Sequence, residues 1–506
     1  MAFKSELEVQ MEKILSEKER IRESKIVPTV IYSLEDAIRD WVELYYNKQN
    51  VVSEDDDDLS VTLQLNMTLT LIRNYQKLKE QGKLKFGFVE EIKEGIEYYF
   101  TQDYRDYVEE RGFYSLQFLV FVIMFAKMRG KNEASEIVEF YREHYLEFFI
   151  MAPDVPPYKY SLSETTIRTA IASLQEEQLK EFFSEFFAPL MRKAFPTSDE
   201  NVKDTYAFDG QAMNSTFRKG EDNRRCKGGI VTFLYCCNRK QDVGYEISDK
   251  KNQERKDVLN IFARTYIRDA VVMCDALNTQ QAVTDAILQA NADYLMPIGK
   301  NGNKELLEHI SAIFWRERKH VQTYVSPQVQ KAHGRIESVQ IEILPATEYL
   351  DPRIENHHQN LNTIVTIVKY VVNRSYIIDG KTTKETSDER YYISSLKYDG
   401  NTLKQVTSSI LSYWQIETHH AVLDNPKLFN QDGLQACKIE TISNIAGFNK
   451  IAHTFLSWFR EHYTKLKGSK TPVTFKATMD KINKKDLISN MLTLEKLWCQ
   501  HNSDVQ

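Results

Sequence analysis

The stretch Asp204-Thr205-Tyr206-Ala207-Phe208-Asp209-Gly210 runs through strand-forming residues into an acid and a glycine. Alone, such an acid reads equally as a turn residue and as a carboxylate placed at a strand end for chemistry. The pattern returns in AVVMCDALN (270–278), where an apolar run reaches Asp275 and a helix begins near Thr279. Between the two lie GIVTFLYCC (229–237), VGYEIS (243–248) and a helical segment over 253–267. Beyond them come a helix (279–291), DYLMPIG (293–299) and another helix (303–313). Three strands followed by alternating helix and strand predict an α/β fold, a mixed sheet with helices on its faces. Residues 321–378 read as β again, YYISSL (391–396) as one more strand, and 401–466 as helix.

If 205–209 and 270–275 are neighbouring strands, Asp209 and Asp275 stand close together at one sheet edge. Two such carboxylates repel, and one takes up a proton unless a cation lies between them. Oxygen ligands of this kind suit Mg²⁺ or Mn²⁺, and a pair of these ions serves in-line phosphoryl transfer. A third carboxylate is then needed. Glu337 in HGRIES (333–338) is one candidate, and Glu417 in SYWQIETHHAVLD (412–424), on a helix after the last strand, is the other. The adjacent His419 and His420 read either as metal or phosphate contacts or as half-exposed helix histidines. No Asp-x-Asp follows the first strand, and no GxGxxG or GxxxxGK[ST] loop occurs. A phosphatase-type or nucleotide-cradling site is therefore unsupported.

The wider chain sets the context. Its 506 residues can bury a large core and divide into several domains. Residues 1–105 hold 15 Lys and Arg against 21 Asp and Glu, so they carry the whole net charge of −6. The rest is neutral, but 459–485 holds 8 basic and 2 acidic residues, which reads as a solvated basic tail or a phosphate-binding face. SEDDDDLS (53–60) reads as a loop or linker. The six cysteines show no CxxC spacing, which points to reduced thiols. The longest apolar run, FLVFVIMFA (118–126), is too short for a membrane span and reads as a buried helix. The charged N-terminus has no signal-type apolar segment, so a cytoplasmic protein is expected.

In order, these segments resemble the ISAs-type, or H-repeat-associated, insertion-sequence transposases of the DDE superfamily, from about residue 106 to about 460. FDGQAMNST (208–216) resembles the first-aspartate segment, with Gln211 where relatives carry lysine. The second-aspartate block is matched by Asp275, Ala276, Gln280 and Lys300. HGRIES, YYISSL and WQIE followed by Val422-Leu423-Asp424 complete the set, and SETTIRTAIASLQEEQLKEFF resembles the associated helical domain. Tyr413 stands where relatives carry a basic residue, and Thr418 replaces asparagine.

The resemblance implies a ribonuclease-H-like catalytic domain over 201–466, with a β-rich insertion at about 318–385, preceded by a helical transposase-associated domain (106–200). The acidic, mainly helical 1–105 and the basic 467–506 have no counterpart in it. It implies metal-dependent cleavage and transfer of DNA strands at the ends of an insertion sequence. Asp209, Asp275 and Glu417 would bind two Mg²⁺ (or Mn²⁺) ions. Lys300, His333, Arg335 and Glu337 are expected near the scissile phosphate, and Lys465, Lys467 and Lys470 on the DNA backbone further out. The implied partners are double-stranded DNA, as terminal repeats and target, and a second copy of the chain, since two ends must be held together. The alternatives are a domesticated descendant that binds DNA without cutting it, and a metal-dependent nuclease without transposition.

Overall fold

The structure is a computed structural model. It describes residues 32–49, 58–105, 114–194 and 202–502, with breaks at 153–154, 159–161, 217, 220–224, 227, 250–252, 300–302, 327–329, 333–334, 352, 355–360, 379–380, 435, 437 and 469–470. Helices come first: α1 (Leu34–Trp41), α2 (Asp58–Glu80), α3 (Gly87–Tyr99), α4 (Leu116–Met128), α5 (Ala134–Glu143), α6 (Tyr145–Met151), α7 (Glu164–Ser173), α8 (Glu176–Glu181) and α9 (Ala188–Ala194). The strands are β1 (Thr205–Ala212), β2 (Ile230–Cys236), β3 (Gln241–Ser248), β4 (Val271–Met273), β5 (Asp293–Ile298), β6 (Gln322–Val325), β7 (Gln330–Ala332), β8 (Arg335–Pro345), β9 (Thr366–Ile378) and β10 (Lys381–Ser394). Between and after them run α10 (Glu254–Arg264), α11 (Gln281–Gln289), α12 (Lys304–Arg316), α13 (Thr402–Tyr413), α14 (Gln415–Asp424), α15 (Ile439–Lys467), α16 (Phe475–Asn483) and α17 (Leu487–Asn502).

The sheet order is β3-β2-β1-β4-β5-β10-β9-β8-β6, with β7 paired to β8. β2 is antiparallel to β1 and β3, β4 is parallel to both β1 and β5, and β10 is antiparallel to β5. The predicted α/β fold with a mixed sheet is therefore observed. Alternation along β1 divides the core. Tyr206 and Phe208 pack with Val258, Ile261, Val283 and Ile310 under α10–α12, while Ala207 joins the core built by α15 and the N-terminal helices.

The apolar run 118–126 lies in α4, where every residue except Gln117 is buried. Ser115 caps it, its hydroxyl accepting from the Phe118 N–H at 3.1 Å. A helix apolar on all sides needs cover on all sides, and α15 supplies part of it, carrying Phe455 against Phe125. α15 also presses close to the sheet. A Cβ on Gly447 would stand 2.3 Å from the Tyr245 hydroxyl and 2.9 Å from Leu179 Cδ2. Gly447→Ala is therefore expected to destabilise the protein by about 1–3 kcal/mol through overpacking, read by chemical denaturation.

The basic C-terminal segment is not a solvated tail. Met479, Ile482, Leu487, Ile488, Met491 and Leu494 sit in the same core as the N-terminal helices. Glu147 and Glu495 tie the two ends of the chain together by accepting from the Ile488 and Phe88 N–H groups. Among the described residues no helix is long and apolar enough to cross a membrane.

Candidate active site

Asp209 does not end its strand. β1 runs on through Ala212, and Asp209 lies opposite Phe233 of β2. It shares the strand face of Ala207, the face turned to α14. Ala207 pairs with Met273 of β4, so Asp275, two residues past Met273, stands level with Asp209 on the adjacent parallel strand. Burial pushes the Asp275 carboxyl above its ordinary range, and the charge of Asp209 adds to the shift. Asn278 works against it: its backbone N–H (3.0 Å) and its Nδ2 (2.9 Å) both donate to Asp275 Oδ1.

On the other side, His420 Nε2 lies 3.3 Å from Asp209 Oδ2. That atom is shut off from solvent and makes no hydrogen bond of proper geometry. Tyr413 is half-buried; burial raises its hydroxyl, and the neighbouring acidic groups Cys274, Asp209 and Asp275 add to the shift. Glu417 is exposed on α14, four residues after Tyr413 and three before His420. Glu417 and His420, three residues apart on α14, share a helix face, and His420 reaches Asp209 from it. Gln211, in the place of the expected lysine, donates from Nε2 to Asp424 Oδ2 at 2.7 Å and accepts from Gln431.

The other expected DNA contacts are dispersed. Lys300, His333 and Lys470 lie outside the described residues. Arg335 pairs with Tyr376 in β8, and Glu337, one strand pleat further, accepts from Arg374 Nε at 2.8 Å. That register position faces Thr386 of β10, whereas Tyr391 is already opposite Ile298, the last residue of β5. Glu337 is thus carried roughly 17 Å out along the β8–β10 ribbon, away from Asp275. Lys465 and Lys467 are exposed in the last turn of α15.

Several residues at the site carried no separable signal in the sequence. A cavity of about 1030 Å³ opens beside Asp275, lined among others by Trp315, Arg390, Tyr391 and Tyr413. Arg390 stands over the Trp414 ring at 5.3 Å, a cation at the cavity wall. Glu254, the first residue of α10, accepts from Asn278 Nδ2 at 3.0 Å. A charged side chain at a helix start is too common to single out without a partner in space.

A second polar cluster is fully buried. Asp242, His419 and His453 offer three ligand atoms within 4.8 Å of one another, a spacing compatible with a metal. Lys450 Nζ already lies 3.2 Å from Asp242 Oδ1, with His419 Nε2 at 2.8 Å and His453 Nδ1 at 2.9 Å on the two oxygens. An ammonium in contact with the carboxylate balances its charge, so the cluster reads as a buried ion pair with two donating imidazoles. Burial alone would raise the Asp242 carboxyl; His419, Lys450 and His453 hold it well below the carboxylate range. Burial pushes His419 down to about 3. The unfolded chain protonates this imidazole below about 6.5 and the folded chain does not. Stability is expected to fall by up to about 1.4 kcal/mol per pH unit between 6.5 and 3. Denaturation midpoints across that range should flatten in His419→Asn.

No protein-family model matches the chain. The chain is nevertheless similar to the H-repeat-associated proteins, as its motifs indicate. It is 27% identical over 278 residues to the "H repeat-associated putative transposase YhhI" of Escherichia coli K12, covering 54% of this chain and 67% of that one. It is 25% identical over 351 residues to the protein YbfL of the same strain, covering 67% of this chain and 83% of that one. Among solved structures, a piggyBac transposase synaptic complex with hairpin DNA aligns over 77% of this chain and 73% of its own, at 11% identity and a TM-score of 0.33. That likeness is too remote to argue from.

Proposed function

We propose that the chain is a DDE transposase that cleaves and joins DNA strands at the ends of an insertion sequence. The observation that carries the reading is register. Asp209 and Asp275 stand level on adjacent parallel strands, and α14, the helix that carries Glu417, brings His420 to Asp209. The β3-β2-β1-β4-β5 order, with β2 alone reversed, supports a ribonuclease-H-like core, and the β-rich insertion at about 318–385 would comprise β6–β9 and the outer start of β10.

The donor set fits hard divalent cations. The carboxylates are half-buried or exposed, one is raised by burial and further by its like-charged neighbour, and a solvent-shielded His420 nitrogen lacks a hydrogen bond beside them. Asp209, Asp275 and Glu417 are the residues that would hold two Mg²⁺ or Mn²⁺ ions. When bound, such a pair activates the attacking oxygen and stabilises the leaving one. The chain's own residues do the rest. Asn278 fixes the Asp275 carboxylate by two bonds to one oxygen. His420 sits where it can donate to a phosphate oxygen next to Asp209. Arg390 lines the cavity beside Asp275, and the ribbon extends past the same end of the sheet, where a duplex would lie. Lys465 and Lys467 would add contacts to the backbone that weaken with salt. Double-stranded DNA and a second copy of the chain are the partners.

The test is purified protein, Mn²⁺ and DNA carrying the element's terminal repeats. Nicks with 3′-hydroxyl ends at the repeat boundary, followed by joined products, are expected. Binding without cleavage would favour a domesticated DNA-binding protein, and cleavage without joining a simple nuclease.

A further inference from the structure

We infer that Glu254 is a positioning residue of this site, acting through Asn278 on Asp275. The inference rests on the transposase reading above. Three contacts carry it. Gly210 shares the strand face of Tyr206 and Phe208, the face turned to α10, and the Glu254 side chain lies against it. A Cβ at Gly210 would stand 2.5 Å from Glu254 Oε1 and 2.7 Å from its Cδ. The glycine after Asp209 is therefore where β1 admits a carboxylate from α10 next to the first aspartate. Second, the buried Asn278 amide donates from Nδ2 to Asp275 Oδ1 at 2.9 Å and to Glu254 Oε2 at 3.0 Å. Each amide proton serves one carboxylate, so Glu254 sets the plane of the amide that holds Asp275. Third, the next residue, Arg255, donates from Nη1 to Gln280 Oε1 at 2.7 Å. Two neighbouring side chains of α10 thus stitch down the loop that carries Asp275.

Groups that orient a metal ligand from behind change affinity or activity by about 10–100-fold when removed. The experiment compares wild type, Glu254→Ala, Glu254→Gln, Asn278→Ala and Asp275→Ala by the Mn²⁺ concentration giving half of the metal-induced rise in Tm, and by kcat for strand cleavage. Glu254→Ala is expected to need about 10–100-fold more Mn²⁺ and to lose kcat by a similar factor. Glu254→Gln keeps an acceptor for Asn278 and should stay within about threefold of wild type. Asn278→Ala should match Glu254→Ala, and the double variant should be no worse, because both remove one linkage. A Glu254→Ala protein with the wild-type Mn²⁺ requirement overturns the inference, even if its metal-free Tm falls. Loss as large in Glu254→Gln as in Glu254→Ala also overturns it, by making Glu254 a direct ligand. If wild type shows neither a Mn²⁺-induced Tm rise nor cleavage, the transposase reading falls with it. If wild type shows both, Asp275→Ala shows neither and Glu254→Ala is unchanged, only the role of Glu254 falls.

Discussion

Replacing Asp275 by alanine is expected to lower Mn²⁺-dependent strand cleavage by at least about 10³-fold, with DNA affinity kept within about threefold. Asp275 stands level with Asp209 on paired strands, so its loss removes one wall of the proposed cation site and leaves every expected backbone contact in place. Misfolding is not the expected cause. Burial and Asp209 both disfavour the Asp275 charge, so the metal-free variant sheds a repulsion when that charge goes. The two Asn278 donors lose their acceptor in exchange, so the metal-free Tm should stay within about 5 °C of wild type's, and the Mn²⁺-induced rise should vanish. Asp275→Asn should behave alike, since an amide keeps the shape but not the anionic oxygen. Cleavage at the wild-type rate in either variant would sink the reading of the site.

The second large effect belongs to the buried cluster. Asp242→Ala strips Lys450 of its counter-charge in a position without solvent, which costs about 3–5 kcal/mol. Chemical denaturation of the variant measures it. Lys450→Met in the same protein removes the stranded charge and should recover most of the loss. The cluster also bears on the site. His419, bonded to Asp242, and His420, beside Asp209, are consecutive on α14. One residue anchors the helix in the core and the next reaches the first aspartate. Asp242→Ala should therefore weaken cleavage beyond what the remaining folded fraction explains.

Much of the fold was legible from local pattern. Strands rich in Val, Ile, Tyr and Phe announced β1–β5, and their alternation with helices announced a mixed sheet. The all-apolar run in α4 could only be a core helix. Where pattern was weak, reading stopped short. Residues 381–390, KTTKETSDER, carry no apolar alternation, yet they form the outer length of β10. A ribbon that leaves the sheet has little core to face, so its sequence lacks the period that marks a strand. The C-terminal segment misled in the opposite way. Its lysines face outward and dominate the charge count, while the isoleucines and leucines that bury it are spaced by helical turns.

The two aspartates were visible in sequence because each follows an apolar run, and a strand's local pattern survives without its neighbours. The roles around them were not. Gly210 is, in the fold, a gap inside β1 that Glu254 fills. His419 and His420, identical neighbours in the chain, face opposite surroundings, one in the core and one at the site. Adjacent helix positions differ by about 100°, and only packing decides which of them meets the interior. The sequence by itself determined the sheet, the helices and the two strand-borne acids. Tertiary structure decided which acid and imidazole join them, because Glu254 reaches Asn278 across 24 positions and His420 reaches Asp209 across 211.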